Sequence, residues 1–173
     1  MSVSVSRATK ETKVEVELDL YESGRVEIST GYDLLDELLT SMARAGKFSL
    51  VLVAQGDWQT GDHHTVEDVG ITLGLALSRL GLNGTGSSTV PCGQALATAA
   101  LSFGQPAFRG EFAFAEKNRG GLALENVGHF MRSLAYQGGL CLYLQASGGD
   151  DLERLFAMTK ALGRALSRAA RDS

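Results

Sequence analysis

The strongest constraint on the fold of this chain is the order of its strand-like and helix-like segments, because the same order occurs twice. Residues 13–20, with the sequence Lys-Val-Glu-Val-Glu-Leu-Asp-Leu, alternate polar and apolar side chains, and residues 25–29 alternate again after a Glu-Ser-Gly turn. Alternation with a period of two residues is typical of half-buried strands. The glycine-containing connection predicts that the two strands pair as a hairpin with one face toward solvent.

Helical spacing follows in the same half of the chain. Residues 33–43 carry leucine and methionine three and four positions apart, which predicts an amphipathic helix that ends at Gly46. Residues 48–54 form an apolar run of strand length, and residues 65–80 predict a second helix rich in Leu, Ile, Val and Ala. A polar loop is expected at residues 56–62.

The second half repeats this order. Residues 95–103 and 107–115 predict another hairpin, although the Ala and Leu content of the first segment also allows a helix. Residues 124–135 carry a helical apolar stripe, residues 139–146 predict a strand, and residues 152–170 predict a long terminal helix. Each half is therefore expected to fold as β-β-α-β-α.

These elements predict a single domain, residues 1–173, made of two similar halves, residues 1–82 and 90–173. Each half must bury one face of its sheet and one stripe of each helix, so two sheets with the helices packed between them satisfy both halves. The predicted fold class is a duplicated α+β sandwich. A chain of 173 residues with 44% hydrophobic residues is long enough to bury such a core.

Charge and hydropathy exclude several functions. The formal net charge of −4 argues against a nucleic-acid surface, which needs clustered cations. The apolar runs are too short to span a bilayer, so no membrane partner is expected. The N-terminus lacks the apolar segment of a signal peptide, which predicts a cytoplasmic location. Cys92 and Cys141 lack metal-ligand spacing and are expected to be buried free thiols.

Two of the chain's three histidines are adjacent, in the sequence Gly-Asp-His-His-Thr-Val-Glu-Asp. At a helix start, positions three and four residues apart face the same way, so Glu67 is expected within reach of both His63 and His64. Imidazole and carboxylate ligands suit Mn, Fe, Co or Zn. The alternative is that Asp62 or Thr65 caps the helix and the histidines are solvated.

Further segments match one known family in the same order along nearly the whole chain. They are Arg7–Thr12, Thr30–Gly31, Leu35–Asp36, Gly56–Asp57, Asp62–Asp68, Val90–Pro91, Ala95–Leu96, His129–Ala135 and Glu153–Phe156. On these segments the sequence resembles imidazoleglycerol-phosphate dehydratase, the manganese-dependent lyase of histidine biosynthesis.

The resemblance implies a duplicated fold of the kind already predicted, the ribosomal protein S5 domain 2-like fold, in which each half donates a His-His-x-x-Glu element. It implies metal ions held between subunits, with trimers bridged into a larger shell. It also implies that manganese coordinates the substrate's imidazole, that a base removes a proton from carbon, and that the neighbouring hydroxyl leaves as water. The product would be imidazole-acetol phosphate.

The ligand set that the resemblance implies is altered here. Glu37 stands where the family has a helix histidine, and Tyr143 stands where it has a strand histidine. Gly149 and Asp150 replace the second double histidine. With oxygen atoms of Glu37 and Asp150 as substitutes, at most one altered manganese site is expected, and it would be richer in oxygen than the family's sites. Because ligands between trimers are missing, the expected assembly is a trimer rather than the larger shell. The candidate metal ligands are His63, His64, Glu67, Glu153, Glu37 and Asp150.

The resemblance also implies substrate and catalytic residues. Gln105 stands where the family has an arginine and Ala157 where it has a lysine, so phosphate binding has lost charged partners. Backbone N–H groups of residues 84–86 are expected to replace them in part. Glu11 matches a residue near the substrate, with a surface carboxylate as the alternative. The catalytic candidates are Glu11 and Glu153, and the substrate-binding candidates are Glu11 and Gln105.

Three further residues have two interpretations each, and a fourth, His129, has one. Asp36 and Asp68 either orient metal ligands or stabilise helix starts. His129, on a predicted helix, is expected to be structural, and Trp58 either covers the site or packs its loop down.

Two functional hypotheses follow. The first is a divergent dehydratase that acts on a small phosphorylated substrate as a homo-oligomer. The second is a homologue that keeps the fold and the trimer but has lost the dehydration or acquired another role, because a fold does not fix a reaction.

Overall fold

The computed structural model describes residues 1–56 and 61–173, so Trp58 and the centre of the predicted polar loop lie outside the described residues. The first half contributes β1 (Val3–Ala8), β2 (Thr12–Asp19), β3 (Val26–Ser29) and β4 (Ser49–Gly56). The second half contributes β5 (Thr85–Cys92), β6 (Ala95–Phe103), β7 (Ala107–Glu111), a short ribbon of β8 (Asn118–Arg119) and β9 (Leu122–Ala123), and β10 (Leu140–Gly148). One sheet has the order β1-β2-β4-β3 and the other β5-β6-β10-β7.

Four helices of the described chain lie between these sheets. They are α1 (Asp33–Gly46), α2 (His63–Arg79), α3 (Glu125–Gly138) and α4 (Asp151–Asp172). Helix α2 packs on β1 and β2, and α4 packs on β5 and β6. Across the two halves, α1 packs against α4 and α2 against α3. The predicted fold class, a duplicated α+β protein with helices between two sheets, is confirmed. Within the described residues no helix is both long and apolar enough to cross a bilayer.

The predicted apolar stripes of α1 and α3 face the core. Every member of both stripes is buried: Leu34, Leu35, Leu38, Leu39 and Met42 in the first half, and Leu124, Val127, Phe130, Met131 and Leu134 in the second. Burial of aliphatic side chains of this size supplies most of the free energy that holds the two halves together.

The two predicted hairpins are wrong, although the strands exist. Strand β4 lies between β2 and β3, antiparallel to the first and parallel to the second. In the same way β10 separates β6 from β7. Alternation predicts a strand but not its partner, and in each sheet the later strand, whose inward residues are fully buried, takes the central place.

Two strands of the main sheets were missed, as was the short β8–β9 ribbon, so each half is β-β-β-α-β-α apart from that ribbon. Both lie at a sheet edge, where β1 pairs with β2 and β5 pairs with β6. Their sequences, Val-Ser-Val-Ser-Arg-Ala and Thr-Gly-Ser-Ser-Thr-Val-Pro-Cys, carry few large apolar residues. An edge strand buries only part of its surface, so its hydrophobic pattern is weak.

Helices α1 and α4 run in the same direction. Leu35 and Leu155, near the two helix starts, line one small apolar cavity. Further along, a Cβ on Gly163 of α4 would lie 2.0 Å from the carbonyl oxygen of Met42 in α1. The contacts therefore follow the same order along both helices.

Helices α2 and α3 are also parallel. A Cβ on Gly70 would lie 2.9 Å from the carbonyl oxygen of Phe130, and a Cβ on Gly74 would lie 2.9 Å from that of Leu134. Glycine is needed at both positions because the two backbones approach too closely for a side chain.

The starts of the helices meet at one end of the molecule. Tyr32, which precedes α1, forms a side-chain hydrogen bond with Thr65 in the first turn of α2. Asp62, which precedes α2, binds Asn126 in the first turn of α3. Helix N-termini carry partial positive charge, so their convergence favours anionic groups at this end. Burial and the negative charge of Asp62 raise the pKa of Tyr32.

Asp151 anchors the segment before β8 to the start of α4. Its carboxylate, 4% exposed, accepts hydrogen bonds from the N–H groups of Ala115 and Glu116 at 2.9 and 2.7 Å, and from Arg154. Burial alone would raise the pKa of Asp151, but the two amides and the guanidinium outweigh it and hold this pKa below its ordinary value of 3.8.

We expect Asp151→Asn to lower the free energy of unfolding by about 1–2 kcal/mol at pH 7. A lowered folded-state pKa contributes stability above the unfolded-state pKa, and this contribution disappears as the pH falls through the folded-state value. The difference between the wild type and Asp151→Asn should therefore shrink below about pH 4 in urea unfolding experiments. Asp33→Asn, an exposed first-turn carboxylate of α1, is the matched control, and an equal difference at pH 7 and pH 3 for Asp151→Asn would contradict this expectation.

Candidate active site at the helix N-terminal ends

Hydrogen bonds from the second half of the chain orient the first histidine of the pair. Asp62 accepts hydrogen bonds from the N–H of Ala123 at 2.8 Å and from Nδ2 of Asn126 at 2.9 Å. Because an ionised carboxylate only accepts, the Asn126 amide must turn its nitrogen to Asp62 and its oxygen to His63. Oδ1 of Asn126 lies 3.0 Å from Nδ1 of His63, so Nδ1 carries the proton.

This arrangement leaves Nε2 of neutral His63 as the basic ring nitrogen. It lies 3.4 Å from Oε2 of Glu67, one helical turn further along α2. A nitrogen lone pair and a carboxylate oxygen repel each other at this distance unless a proton or metal cation lies between them. Two ligands at right angles on a metal with bonds of about 2.1 Å are about 3 Å apart, close to the observed separation. The pair therefore suits a cation, and its side chains are 48% and 43% exposed.

The second histidine has a different carboxylate partner from the one expected. Nδ1 of His64 lies 3.3 Å from Oε2 of Glu11, which follows β1. Buried Asp68 accepts hydrogen bonds from Arg7 and from the Thr12 hydroxyl, on either side of Glu11. Of its two interpretations, Asp68 therefore serves the site indirectly, since it fixes the strand connection that holds Glu11 against α2.

The three histidines of the chain gather at this point. The ring centroid of His63 lies 5.6 Å from that of His64 and 5.5 Å from that of His129, both edge-on. His129 therefore borders the site rather than lying apart from it. Sequence analysis also missed Asn126 and Arg7. The spacing of Asn126 and His129 places them on one face of α3, which was the available signal.

The start of α4 holds the remaining carboxylate of the candidate set. Oε2 of Glu153 accepts a hydrogen bond of 2.9 Å from the N–H of Gln94, and Asp150 caps the helix by accepting the Glu153 N–H at 2.8 Å. A Cβ on Gly149 would lie 2.3 Å from Glu153 Oε2, and a Cβ on Gly93 would lie 2.5 Å from its carboxyl carbon. These two glycines make room for the carboxylate, and Asp150 already uses one oxygen as a cap.

The prediction of two buried thiols is wrong, since Cys141 is exposed and Cys92 is half-buried.

Of the other predicted residues, three make no ion pair with the histidines within the described chain. Glu37 is exposed on α1, and Asp36 accepts hydrogen bonds from the N–H and hydroxyl of Thr30 at 2.8 and 2.5 Å, which stabilises the helix start. Tyr143 donates to Glu111 at 2.8 Å. This bond raises the pKa of Tyr143 and, with Arg109, lowers that of Glu111.

Gln105 lies at the opposite end of α3 from the histidines. The N–H of the preceding Gly104 bonds to the carbonyl of Gly139, directly after α3. A helix of 14 residues is about 20 Å long, so this distance separates Gln105 from Asn126. One chain therefore does not bring Gln105 to the histidines.

The glycine-rich segment at residues 84–86 is not the phosphate loop that the sequence predicted. It begins β5, and Cβ atoms on Gly84 and Gly86 would each lie 2.1 Å from a carbonyl oxygen of α4. The N–H groups of Gly84 and Thr85 donate to Ser173 and Asp172. These glycines serve helix packing, and two of the three amides are already bonded.

The donor set fits a metal in its chemistry but gives only part of a site. Across residues 1–56 and 61–173, no three His, Cys, Asp or Glu side chains are grouped closely enough to hold a metal ion. The chain instead offers the pair His63 and Glu67 and the pair His64 and Glu11. Within the described residues the chain therefore offers two donor pairs and no set of three protein ligands in one place.

The fold and this site define a duplicated α+β protein with a histidine and carboxylate site at its helix N-termini. The family model of imidazoleglycerol-phosphate dehydratase matches residues 30–166, and the chain belongs to this family. The resemblance found in the sequence is thereby confirmed.

Relatives cover nearly all of the chain. It is 38% identical over 177 residues to imidazoleglycerol-phosphate dehydratase of Methanocella arvoryzae, which covers 98% of this chain and 91% of that protein. It is 42% identical over 171 residues to the histidine biosynthesis bifunctional protein HisB of Stenotrophomonas maltophilia, covering 95% of this chain and 48% of that protein. The chain thus spans about half the length of this bifunctional relative. A crystal structure of the Staphylococcus aureus dehydratase matches with a TM-score of 0.87 and 25% identity over 98% of each chain.

Proposed function

We propose that this protein is a hydro-lyase of histidine biosynthesis that removes water from imidazole-glycerol phosphate. Family membership and relatives named for this reaction support the proposal. The observation that carries it is the pair formed by Nε2 of His63 and Glu67, because Asn126 fixes the tautomer that leaves a cation-seeking nitrogen beside a carboxylate.

The proposed metal ligands are His63, His64 and Glu67 of one subunit with Glu153 of a neighbouring subunit, and Glu37 and Asp150 are further oxygen donors. When bound, manganese would supply a Lewis acid for the substrate's imidazole. The mixed nitrogen and oxygen donors suit such an ion.

Glu11 is the proposed base. Its exposed carboxylate takes the proton from the substrate carbon, and Nδ1–H of His64, 3.3 Å from Oε2, keeps that carboxylate oriented. Glu153, whose carboxylate accepts the N–H of Gln94, is proposed to orient a water molecule that passes the proton taken up by Glu11 to the leaving hydroxyl, which departs as water. Gln105 of a further subunit is proposed to bind the phosphate.

The proposed assembly is a cytoplasmic homo-oligomer, with a trimer as its smallest unit and active sites between subunits. Two arguments support shared sites: each donor pair lacks a third ligand within the described chain, and Gln105 lies about 20 Å from Asn126. Within each subunit, residues 1–82 and 90–173 are proposed to act as the two halves of one domain.

The test combines an activity assay with metal analysis. Purified protein is expected to release water from imidazole-glycerol phosphate only with manganese, and chelation should remove both the metal and the activity. Size-exclusion chromatography with and without chelator reports whether the metal also holds the oligomer together. A folded oligomer with no turnover and no bound transition metal would overturn the proposal and favour a homologue that has lost the reaction.

A further inference from the structure

A basic cleft lies between the end of α1 and the last turns of α4. It has a volume of about 240 Å³ and is lined by Lys47, Arg164, Ser167, Arg168 and Arg171. We use the name basic cleft for these five residues. On this measure of volume one water needs about 10–15 Å³, so the cleft has room for a group much larger than a water molecule.

The basic cleft is remote from the proposed active site. Helix α1 begins after Tyr32, which bonds to Thr65 beside the double histidine, and it ends before Lys47. Fourteen residues of helix span about 21 Å, so the two sites lie at opposite ends of α1. The cleft therefore takes no part in the proposed dehydration.

Four positive charges line the cleft, and none has an acidic partner among the described residues, although Nη1 of Arg168 donates to the carbonyl oxygen of Ser87 at 2.5 Å. Arg164, Arg168 and Arg171 follow each other at spacings of four and three residues, which places them on one face of α4, and Lys47 faces them from α1. In the described part of the chain none of the four forms an ion pair, whereas six other cationic side chains do. The C-terminal dipoles of α1 and α4 attract cations near these ends, but four charges exceed what two half-charges balance.

Ser167 adds a hydroxyl to the lining of the basic cleft. The residue as a whole is 4% exposed. Its oxygen is not among the buried, unpartnered polar atoms of the described chain, which are Ser41 Oγ and Arg154 Nε, so solvent reaches it. A hydroxyl in this position can donate to a ligand oxygen in the cleft.

Close helix packing holds the cleft in shape. A Cβ on Gly46 would lie 2.4 Å from the carbonyl oxygen of Gly163, so α1 and α4 touch through their backbones one residue before Lys47. Lys47 itself caps α1 in the left-handed conformation, with φ of 57°. Its position relative to the arginines is therefore set by two rigid helices.

We propose that the basic cleft binds a small molecule with adjacent phosphoryl groups, either pyrophosphate or the diphosphate of a nucleotide. Guanidinium groups bind phosphoryl oxygens through paired hydrogen bonds, and four cations match a ligand with about three negative charges. A nucleic-acid strand is a poorer match, since the protein is acidic overall, with a net charge of −4.

Calorimetric titration of the full-length protein at low salt tests this assignment. Pyrophosphate and a nucleoside diphosphate are titrated separately, with inorganic phosphate for comparison, after chelation so that no metal at the histidines binds the ligand. Pyrophosphate is expected to bind at least about tenfold more tightly than phosphate, because it engages more of the four cations. The tighter of the two diphosphates identifies the source of the ligand.

Substitutions distinguish pyrophosphate binding in the basic cleft from binding at other basic surfaces. Arg164→Gln with Arg171→Gln is expected to weaken pyrophosphate binding at least about tenfold. Arg109→Gln with Arg132→Gln, which removes the same charge from other surfaces, should leave binding unchanged. Lys47→Asn provides an independent change that tolerates the left-handed conformation.

Three results would overturn the assignment. They are unchanged binding in both cleft variants, loss of binding in His64→Ala, and binding of an oligonucleotide without binding of pyrophosphate. Since the cleft lies apart from the histidines, failure here would leave the proposed dehydratase activity untouched, and failure of that activity would leave this assignment untouched.

Discussion

A mixture of two inactive variants, His64→Ala and Glu153→Gln, is expected to regain activity. Each variant alone should lose about a hundredfold or more of kcat/KM, because each removes a proposed ligand or proton-relay residue. If every active site combines His64 of one subunit with Glu153 of another, random assembly of equal amounts leaves about a quarter of the sites intact. Co-expression with two different tags, purification over both and an activity assay measure this recovery.

The matched control places both substitutions in the residues that one subunit contributes to the proposed site. A mixture of His63→Ala and His64→Ala chains should stay inactive, since no arrangement of these subunits restores the double histidine. Recovery in this control, or no recovery in verified mixed oligomers of the first pair, would show that the sites are not divided between subunits in the proposed way.

Gly163→Ala is expected to lower the free energy of unfolding by about 2 kcal/mol or more. Its Cβ would lie 2.0 Å from the carbonyl oxygen of Met42, and a backbone carbonyl cannot turn away without moving α1. Helix propensity alone favours alanine over glycine by about 1 kcal/mol. The measured loss of unfolding free energy is therefore the cost of the clash minus this gain in helix propensity. Urea unfolding followed by circular dichroism gives the difference.

Gly128→Ala is the control within another helix. No atom lies within 4 Å of a Cβ built on Gly128 of α3, so alanine should stabilise the protein by about 0.5–1 kcal/mol. Changes of the same sign in both variants would mean that backbone contact between α1 and α4 does not limit the residue at position 163.

Secondary structure was predictable from the sequence where hydrophobic periodicity is strong. The eight alternating residues at 13–20 and the leucines of α1 each contain the signal of one element. Strand pairing was not predictable, since β4 and β10 enter the sheet centres after a helix has intervened. Edge strands β1 and β5 were missed because a strand that buries little carries little pattern.

The candidate site was also predictable only in part, because local sequence patterns do not reveal contacts between residues far apart in the chain. His63, His64 and Glu67 are neighbours in the sequence, so their spacing reveals them. Asn126 lies 63 residues from His63, and its spacing from His129 indicates a shared helix face but not that its amide fixes a ring tautomer. The glycines in residues 84–86 suggested a phosphate-binding loop. The structure shows instead that glycine is needed there because the backbone of α4 packs against it, and this contact cannot be seen in the sequence.

The pairing of α1 with α4 and of α2 with α3 means that each half buries one face of its helices only against the helices of the other half. A gene encoding one half would yield a chain with an apolar helix surface open to water, stable only when two copies associate. Joining two such copies makes their encounter intramolecular and independent of protein concentration. A single chain can also carry different residues at the two helix starts, as here, where His63 and His64 occur in one half and Gly149 and Asp150 in the other.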